Sequence, residues 1–180
     1  LPLVAVNHLE GHLLAPFIGQ PAPEFPFLGL VVSGGHTLLV LAKDVGDYEV
    51  LGETRDDAAG EAFDKGARVL NLPYPGGIYV DRLSQDGDPA AVELPRGMKY
   101  SKDLDFSFSG LKTAIWQRVR AHGVPEGQAL NDLCASLQEA IVDVLVHKTK
   151  KASKATGAKR VLVTGGVAAN SRLRSAFEQA

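Results

Sequence analysis

The feature that most constrains the fold is a pair of apolar runs separated by a short glycine-containing turn. Residues 27–32 read FLGLVV and residues 38–42 read LLVLA, with SGGHT at positions 33–37 between them. Apolar, β-branched runs joined in this way are typical of a β-hairpin, and its glycines are free to adopt positive φ. A turn at 44–47 and the run YEVLGE at 48–53 extend the prediction to a three-stranded meander.

Helical spacing replaces this pattern after residue 56. One predicted helix places Ala59, Phe63, Ala67 and Leu70 on a single face, and YPGG at 74–77 ends it. Two further helices are predicted, one from a cap at Ser109 to a stop at Gly123 and one over residues 127–154. The polar segment 85–105, which proline and glycine interrupt, is predicted to be a long loop.

The two ends of the chain complete the predicted order of elements. LVAV at residues 3–6 predicts a buried strand, and residues 8–15 predict a short helix that Pro16 closes. RVLVTGGVAAN at 160–170 predicts a strand, a glycine turn and a new helix. The class is mixed α/β. We expect three parts: residues 1–55 with the hairpin, a mainly helical segment 56–125, and a helix–strand–helix unit at 126–180.

Composition excludes several classes of protein. With 19 basic and 21 acidic side chains the formal net charge is −2, which argues against binding nucleic acid by bulk charge but leaves a local basic patch open. The single cysteine, Cys134, excludes a disulfide framework and favours a reducing cytosol. No signal peptide or membrane-spanning run is evident. Because the chain starts at Leu1 inside a strand pattern and stops inside a helix pattern, we expect an internal piece of a longer protein.

Two histidines four residues apart, His8 and His12, would face the same way on a helix and could bind one metal ion. The alternative is two ordinary histidines, either solvated or satisfied in the core. Glu10 lies about 200° round the helix and points away from the pair. The zinc-protease motif HExxH needs its glutamate directly after the first histidine, so the stretch HLEGH does not fit that motif.

Two glycine loops, SGGHT and TGGVAAN, suit close approach of backbone N–H groups to a phosphate, although most Gly-Gly turns are only turns. Neither loop matches the Walker or GxGxxG patterns. Asp57, Glu61 and Asp64 share a helical face with Arg68, which favours a salt-bridged surface.

That helix also contains two glycines, Gly60 and Gly66, which cost about 1 kcal/mol each relative to alanine. Their presence favours close approach of a backbone or ligand, with Asp64 able to accept hydrogen bonds from ribose hydroxyls. Lys112 is either a phosphate contact or a surface lysine. Trp116 and Leu111 are predicted to be core residues.

Five runs in this order closely resemble the TsaD family of tRNA threonylcarbamoyl transferases, once described as glycoproteases, in its bacterial branch. The runs are NHLEGHLLAP, LVVSGGHTLL, RDDAAGEAFDKGARVLNLPYPGG, LDFSFSGLKTA and VTGGVAANSRLR. The resemblance covers nearly the whole chain. It implies an actin-like ATPase (ASKHA) fold that is incomplete at both ends of this chain. It also implies a cytoplasmic, metal-dependent acyltransferase that modifies tRNA.

The reaction implied by the resemblance moves a threonylcarbamoyl group from threonylcarbamoyl-adenylate to the exocyclic amine of the adenosine beside the tRNA anticodon. The implied ligands are one divalent metal, iron or zinc, and threonylcarbamoyl-adenylate or ATP. The implied partners are tRNA, a paralogous TsaB subunit, the TsaE ATPase, and TsaC as supplier of the adenylate, with no membrane.

The family match also assigns roles to individual residues. His8 and His12 are the implied metal ligands, and the family's third ligand is an aspartate that would follow residue 180. The residues implied to bind the carrier are Val31, Val32, Ser33, Gly34, Gly35, Asp64, Gly77, Asp81 and Asn170. Since the third ligand and the first strands of the family fold lie outside this chain, we expect weak metal binding and little or no transferase activity from the 180 residues alone.

Three other functions remain open. A small-molecule kinase or ATPase of the same fold would phosphorylate its substrate without needing the histidines. A metalloprotease would agree with the old family name but not with the position of Glu10. A partner-binding module would expose an apolar helix face, for which the candidate is the helix with Ala59 and Phe63.

Overall fold

The computed structural model describes residues 2–3, 7–19, 21 and 24–180, and within them the meander predicted from the apolar runs is present. Strands β1 (Phe27–Val32), β2 (Thr37–Asp44) and β3 (Asp47–Glu53) pair antiparallel in succession. Strand β4 (Val161–Thr164) pairs parallel with β1, so the sheet order is β3-β2-β1-β4. The mixed α/β class is confirmed.

Six α-helices accompany this sheet in the described residues, and most agree with the sequence patterns. They are α1 (His8–Leu14), α2 (Ala59–Val69), α3 (Gly76–Ser84), α4 (Ser109–His122), α5 (Gly127–Thr156) and α6 (Ser171–Glu178). Pro16 lies in a short 3-10 turn after α1, and residues 85–108 contain no helix or strand. The strand predicted at 3–6 and part of the loop predicted at 20–26 lie outside the described residues.

The sheet separates a large core from a small one because alternate side chains of each strand point to opposite faces. Leu28, Leu30 and Leu39 face the large core, which α2, α4 and α5 complete. Val31, Leu38 and Val40 face α1, whose Leu13 covers them. Strand β1 is therefore buried on both sides, as its continuous apolar sequence indicates.

Helix α4 begins differently from its prediction. The sequence suggested Ser109 as the cap, but Ser109 is already inside the helix. Asp56 supplies the cap from a distant part of the chain: its Oδ1 accepts hydrogen bonds from the backbone N–H groups of Phe108 (2.8 Å) and Ser109 (3.2 Å). These bonds and those from two serine hydroxyls lower the pKa of Asp56, against the opposing effect of burial. The predicted stop at Gly123 is confirmed, with φ of 81°.

Helix α3 was not predicted. YPGG was interpreted as a helix end, but the helix starts at the first glycine, directly after Pro75. Proline is well tolerated at a helix start, since the first N–H groups have no partner inside the helix. Helix α3 is important for the site because it forms one of the walls.

Candidate functional site

A cavity of about 540 Å³ opens at the end of the sheet where the parallel strands β1 and β4 both finish. Its lining comes from four places: the SGGHT turn, α2, the start of α3 and the segment after β4. The lining residues are Gly34, Gly60, Phe63, Asp64, Tyr74, Pro75, Gly77, Ile78, Asp81, Gly166, Val167, Ala169 and Asn170. The volume is in the range of small-ligand pockets. The fold thus brings together five of the nine residues predicted to bind the carrier.

The SGGHT turn is held by its serine rather than by unusual glycine geometry. Ser33 Oγ accepts hydrogen bonds from the backbone N–H of Gly35 (3.4 Å) and His36 (3.0 Å), and Ser33 N–H donates to the His36 carbonyl (2.8 Å). Neither Gly34 nor Gly35 uses the positive φ that glycine permits. The serine hydroxyl provides the turn's internal bonds, so ordinary backbone angles suffice.

The other members of the predicted VVSGG segment lie around this turn. Val31 and Val32 are completely buried in β1, so their side chains belong to the core and only their backbone is available to a ligand. Ser33 and Gly35 adjoin Gly34 in the turn, but only Gly34 of the five lines the cavity.

Gly60 explains how α2 approaches this turn. Its N–H donates to the Ser33 carbonyl (3.1 Å), and a Cβ at this position would lie 2.6 Å from the same oxygen. The close backbone approach expected here is confirmed. Gly66, by contrast, meets side chains of the core, because a Cβ there would lie 2.6 Å from Leu137 Cδ2. Each glycine therefore makes room for a specific neighbour.

Asp64 connects α2 to α3 at the cavity wall. Its Oδ1 accepts a hydrogen bond from the Gly76 N–H at 2.7 Å. Within the described part of the chain, Oδ2 accepts no hydrogen bond from protein. The side chain is half-buried and lines the cavity. One carboxylate oxygen thus fixes the start of α3, and the other is available to a ligand donor.

Asn170 and Asp81 form a hydrogen-bonded group on the opposite side. Asn170 Oδ1 caps α6 by accepting from Leu173 N–H (2.9 Å), and its Nδ2 donates to Gln138 Oε1 (2.6 Å) and Asp81 Oδ1 (3.2 Å). Asp81 also accepts from the hydroxyl (2.6 Å) and backbone N–H (3.2 Å) of Ser171. Asn170 is buried. The amide and carboxylate therefore stabilise the wall as well as facing the cavity.

The two histidines lie together on the solvent side of α1, which Asn7 caps by accepting from Leu9 N–H at 2.9 Å. The ring centroids of His8 and His12 are 4.6 Å apart. His8 is exposed and His12 is half-buried. Glu10 accepts from the hydroxyl of Tyr48 at 3.1 Å, which confirms that it points away from the pair.

The pair lies beside the cavity because the SGGHT turn reaches both. His36, two residues after Gly34, has its ring centroid 5.8 Å from that of His8. Thr164, at the end of β4, donates from its hydroxyl to the His12 carbonyl (2.9 Å) and so ties α1 to the sheet. Imidazoles that share an ion at a typical bond length of about 2.0–2.1 Å must be neighbours, and this spacing satisfies that requirement. Among the described residues there is no group of three side chains arranged to hold a metal.

Other sequence predictions turn out differently. The acidic face of α2 is salt-bridged as expected, but through Lys65, which contacts Asp57 (2.6 Å) and Glu61 (2.9 Å), rather than through Arg68. The prediction that Trp116 is a core residue is wrong, because it is 48% exposed on α4. The same prediction for Leu111 is confirmed, since that residue is buried. Lys112 is exposed on the same helix and does not line the cavity.

The proposed partner surface on α2 is also wrong. Ala59 and Phe63 are 0% and 2% exposed because that face packs into the large core.

Cys134 is buried in α5, and burial raises the pKa of its thiol to about 12, which makes it an inert core residue.

Sequence analysis missed one residue that supports the site, Gln138, and two that line it, Tyr74 and Ile78. Gln138 sits among apolar residues of α5, Ile78 lies in the unpredicted helix α3, and Tyr74 precedes that helix in the YPGG stretch, which was interpreted only as a helix end. The one available signal was Gln138 itself, because a polar residue at a core position of a helix needs a partner.

Among the described residues, none of the helices has both the length and the apolar character that crossing a bilayer requires.

Comparison with known proteins agrees with these observations. A family model described as tRNA N6-adenosine threonylcarbamoyltransferase (TsaD) matches residues 1–180. The tRNA N6-adenosine threonylcarbamoyltransferase of Anaeromyxobacter dehalogenans is 63% identical over 97% of this chain and 52% of its own length. That of Chromobacterium violaceum is 55% identical over 100% of this chain and 54% of its own.

The chain spans about half the length of the curated relatives it matches. Among solved structures, component A of (R)-2-hydroxyglutaryl-CoA dehydratase from Acidaminococcus fermentans aligns with 84% of this chain and 51% of its own. The TM-score is 0.47 and the identity 16%, too low to support an argument. The mixed α/β architecture accords with the actin-like ATPase fold of the family. A match over the whole chain, with two relatives above half identity, places this chain in the TsaD family of tRNA N6-adenosine threonylcarbamoyltransferases.

Proposed function

We propose that this chain forms part of the site at which a threonylcarbamoyl group passes from threonylcarbamoyl-adenylate to the exocyclic amine of the adenosine beside the tRNA anticodon. The observation that supports the proposal best is the SGGHT turn. Gly34 lines the 540 Å³ cavity, and His36 lies against His8 of the histidine pair. A carrier in the cavity would therefore have one end close to the histidines.

The cavity suits a nucleotide carrier in its chemistry. Tyr74, Ile78 and Val167 give it an apolar wall against which a purine base can pack. Asp64 keeps one carboxylate oxygen for a ribose hydroxyl. A Cβ at Gly34 would meet no other atom within 4 Å, so a phosphate or acyl oxygen can approach this glycine closely. Gly77, on α3, also lines the cavity.

His8 and His12 would hold the divalent ion, iron or zinc, through neutral imidazole nitrogens. When bound, such an ion supplies Lewis-acid polarisation of a carbonyl oxygen. The family's third ligand, an aspartate, would come from sequence after residue 180. With two ligands of its own, the chain should bind metal weakly and have little or no transferase activity by itself. We also propose a cytoplasmic location and, from the family resemblance, TsaB, TsaE and TsaC as partners.

Competing functions predict other properties of the same site. A small-molecule kinase would bind ATP in the cavity with no contribution from the histidines. A metalloprotease would need a carboxylate beside the metal ligands, and Glu10 is instead bonded to Tyr48. The transferase function uses both the cavity and the histidines, so it predicts that their binding properties are linked.

The test is a calorimetric titration of a non-hydrolysable threonylcarbamoyl-adenylate analogue into the chain, with zinc or ferrous iron and after chelation. We expect binding that weakens at least about tenfold after chelation and in His8→Ala, whereas His122→Ala, an exposed histidine of α4, has no effect. ATP should bind less tightly than the analogue. Metal-independent binding of ATP alone, equal in His8→Ala, would instead support the kinase.

A further inference from the structure

Charge is distributed very unevenly over this chain. Residues 96–103 and 143–160 together contain nine of the 19 lysines and arginines but two of the 21 acidic residues. These 26 residues have a formal charge of +7, and the rest of the chain has −9. The near-neutral total therefore conceals two basic segments, and the question is whether the fold joins them into a continuous surface. Arg160, beyond the end of α5, is already paired with Glu24.

The second half of α5 brings the two segments together. His147, Lys150, Lys151 and Lys154 occupy positions i, i+3, i+4 and i+7 and so share one helix face. The segment 96–103, which is a loop, lies against this helix. Lys151 Nζ donates to the carbonyls of Ser101 (2.8 Å) and Lys102 (2.6 Å).

Fully buried Lys148 adds a second attachment. Its Nζ donates to Ser101 Oγ (2.6 Å) and to the Asp103 carbonyl (2.9 Å). Further along the loop, Lys99 contacts Asp143 at 2.6 Å. One side of α5 and the loop at 96–103 thus form a single surface, which we call the basic face. Its basic residues are Arg96, Lys99, Lys102, Lys148, Lys150, Lys151 and Lys154.

Its members differ in what their charges already do. Lys148 and Lys151 use their ammonium groups to hold loop carbonyls, and Arg96 and Lys99 share Asp143. Lys102, Lys150 and Lys154 are exposed, and within the described residues none of these three has an ion-pair partner. Tyr100 is 80% exposed beside them, with its ring centroid 5.4 Å from that of His147.

We propose that the basic face docks the phosphate backbone of the RNA substrate. Exposed lysines without acidic partners, two on a helix and one on the adjoining loop, complement the negative charge of a nucleic-acid strand, and an exposed tyrosine can stack on an unpaired base. An ordinary helix C-terminus attracts one or two cations to its dipole, whereas this face also gathers cations from a separate loop. The inference rests on the proposed function, which makes a tRNA the substrate.

The basic face lies on the same helix that supports the cavity wall. Gln138, which bonds Asn170 at the cavity, is in the same helix as Lys150 and Lys154. At about 1.5 Å per residue, these lysines lie about 18 to 24 Å along α5 from Gln138. A stem-loop that presents a base to the cavity has stem phosphates at such distances. The RNA would then be bound at two places: the reacting base at the cavity, and the phosphate backbone at the basic face.

The test compares two triple variants of the full chain that remove the same charge. One is Lys102→Gln, Lys150→Gln and Lys154→Gln on the basic face; the other is Lys112→Gln, Arg118→Gln and Arg120→Gln on α4. All six side chains are exposed, so both variants should fold. Fluorescence anisotropy with a labelled, unmodified tRNA transcript gives Kd at several salt concentrations.

We expect the basic-face variant to lose at least about tenfold in affinity at physiological salt, and its log Kd against log salt slope to fall by about 2 to 3. The α4 variant should change by less than about threefold. Equal losses in the two variants, no loss in the basic-face variant, or no tRNA binding by the parent chain would overturn the proposal. Capture of polyglutamate but not tRNA by these lysines would also overturn it, in favour of an acidic protein partner.

The same variants separate this inference from the proposed function. The basic-face variant should bind the threonylcarbamoyl-adenylate analogue as the parent chain does, because none of its three substitutions lines the cavity. Loss of tRNA binding with analogue binding retained supports the inference. Absence of analogue binding by the parent chain counts against the proposed function. In that case the comparison of tRNA binding by the two variants still tests the basic face.

Discussion

The residues around the cavity are bonded to one another, whereas the two histidines beside it are not. Asn170 contacts Gln138, Asp81 and the α6 backbone, and Asp64 holds the start of α3. In the described part of the chain, no hydrogen bond reaches the ring of His8 or His12, and each ring contacts another imidazole. The cavity wall is thus part of what stabilises the fold, and the histidines are left free for a ligand.

This difference predicts that substitutions in the two groups affect different properties. A change in the cavity wall should lower the stability of the chain along with its affinity for a carrier. A change in the histidines should leave stability alone and weaken metal binding, and with it the metal-dependent binding of the carrier analogue. Four substitutions test this division, in order of decreasing expected effect.

The largest effect is expected for Asn170→Ala. It removes the α6 cap and leaves buried Gln138 without its amide partner, which together should lower the free energy of unfolding by about 3 kcal/mol. Urea denaturation measures it. Asn131→Ala, an asparagine on α5 outside this hydrogen-bonded group, is the control. Unchanged stability in Asn170→Ala would mean that the wall is not held by this side chain.

Gly60→Ala tests the contact between α2 and the SGGHT turn. The added Cβ would lie 2.6 Å from the Ser33 carbonyl oxygen, so the turn must move, at a cost of about 2 kcal/mol. Because Gly34 and His36 belong to the turn, binding of the carrier analogue should weaken as well. Gly110→Ala on α4, where a Cβ meets only Pro95 Cγ at 3.9 Å, is the matched control. If thermal denaturation and titration cannot tell the two variants apart, α2 does not position the turn.

These contacts show how far sequence could go. The hairpin, the long helix and the β4 turn were predictable because apolar spacing and glycine stops are local signals. Asp56 as the cap of α4 was not, since the carboxylate and the helix start are more than fifty residues apart. Trp116 failed for a related reason: helical spacing marks a possible core face but does not show which elements cover it.

The site was predictable to a similar extent. The family resemblance nominated residues that the fold does gather at one cavity, such as Gly34 and Asp64. It could not distinguish residues free to bind a ligand from residues already bonded to each other, as Asp81 and Asn170 are. That distinction depends on side-chain contacts between distant segments.

His8→Ala should weaken metal binding, and the metal-dependent binding of the carrier analogue, without lowering stability. The side chain is exposed, so thermal stability without metal should stay within about 0.5 kcal/mol of the parent chain. Affinity for cobalt or zinc should fall at least about tenfold, because even loss of a group that only supports a ligand costs that much. Cobalt absorption spectra report binding directly, and His122→Ala should match the parent. Destabilisation of the metal-free chain by His8→Ala would show that the imidazole has a structural role and would erase the contrast with the cavity wall.

The smallest effect is expected for Asp81→Asn. The amide keeps an oxygen that can accept from Ser171, but it removes a negative charge from the start of α6 and one acceptor from the group around Asn170. We expect a loss of about 1 kcal/mol in urea denaturation, with Asp86→Asn, an exposed carboxylate beyond α3, as the control. Since its oxygens already bind protein donors, affinity for the carrier analogue should change by less than about threefold, whereas Asp64→Asn should weaken it more. A tenfold loss of affinity in Asp81→Asn at unchanged stability would instead show that Asp81 contacts the ligand directly. Asp81 would then belong with the side chains that are free to bind a ligand, not with those that stabilise the wall.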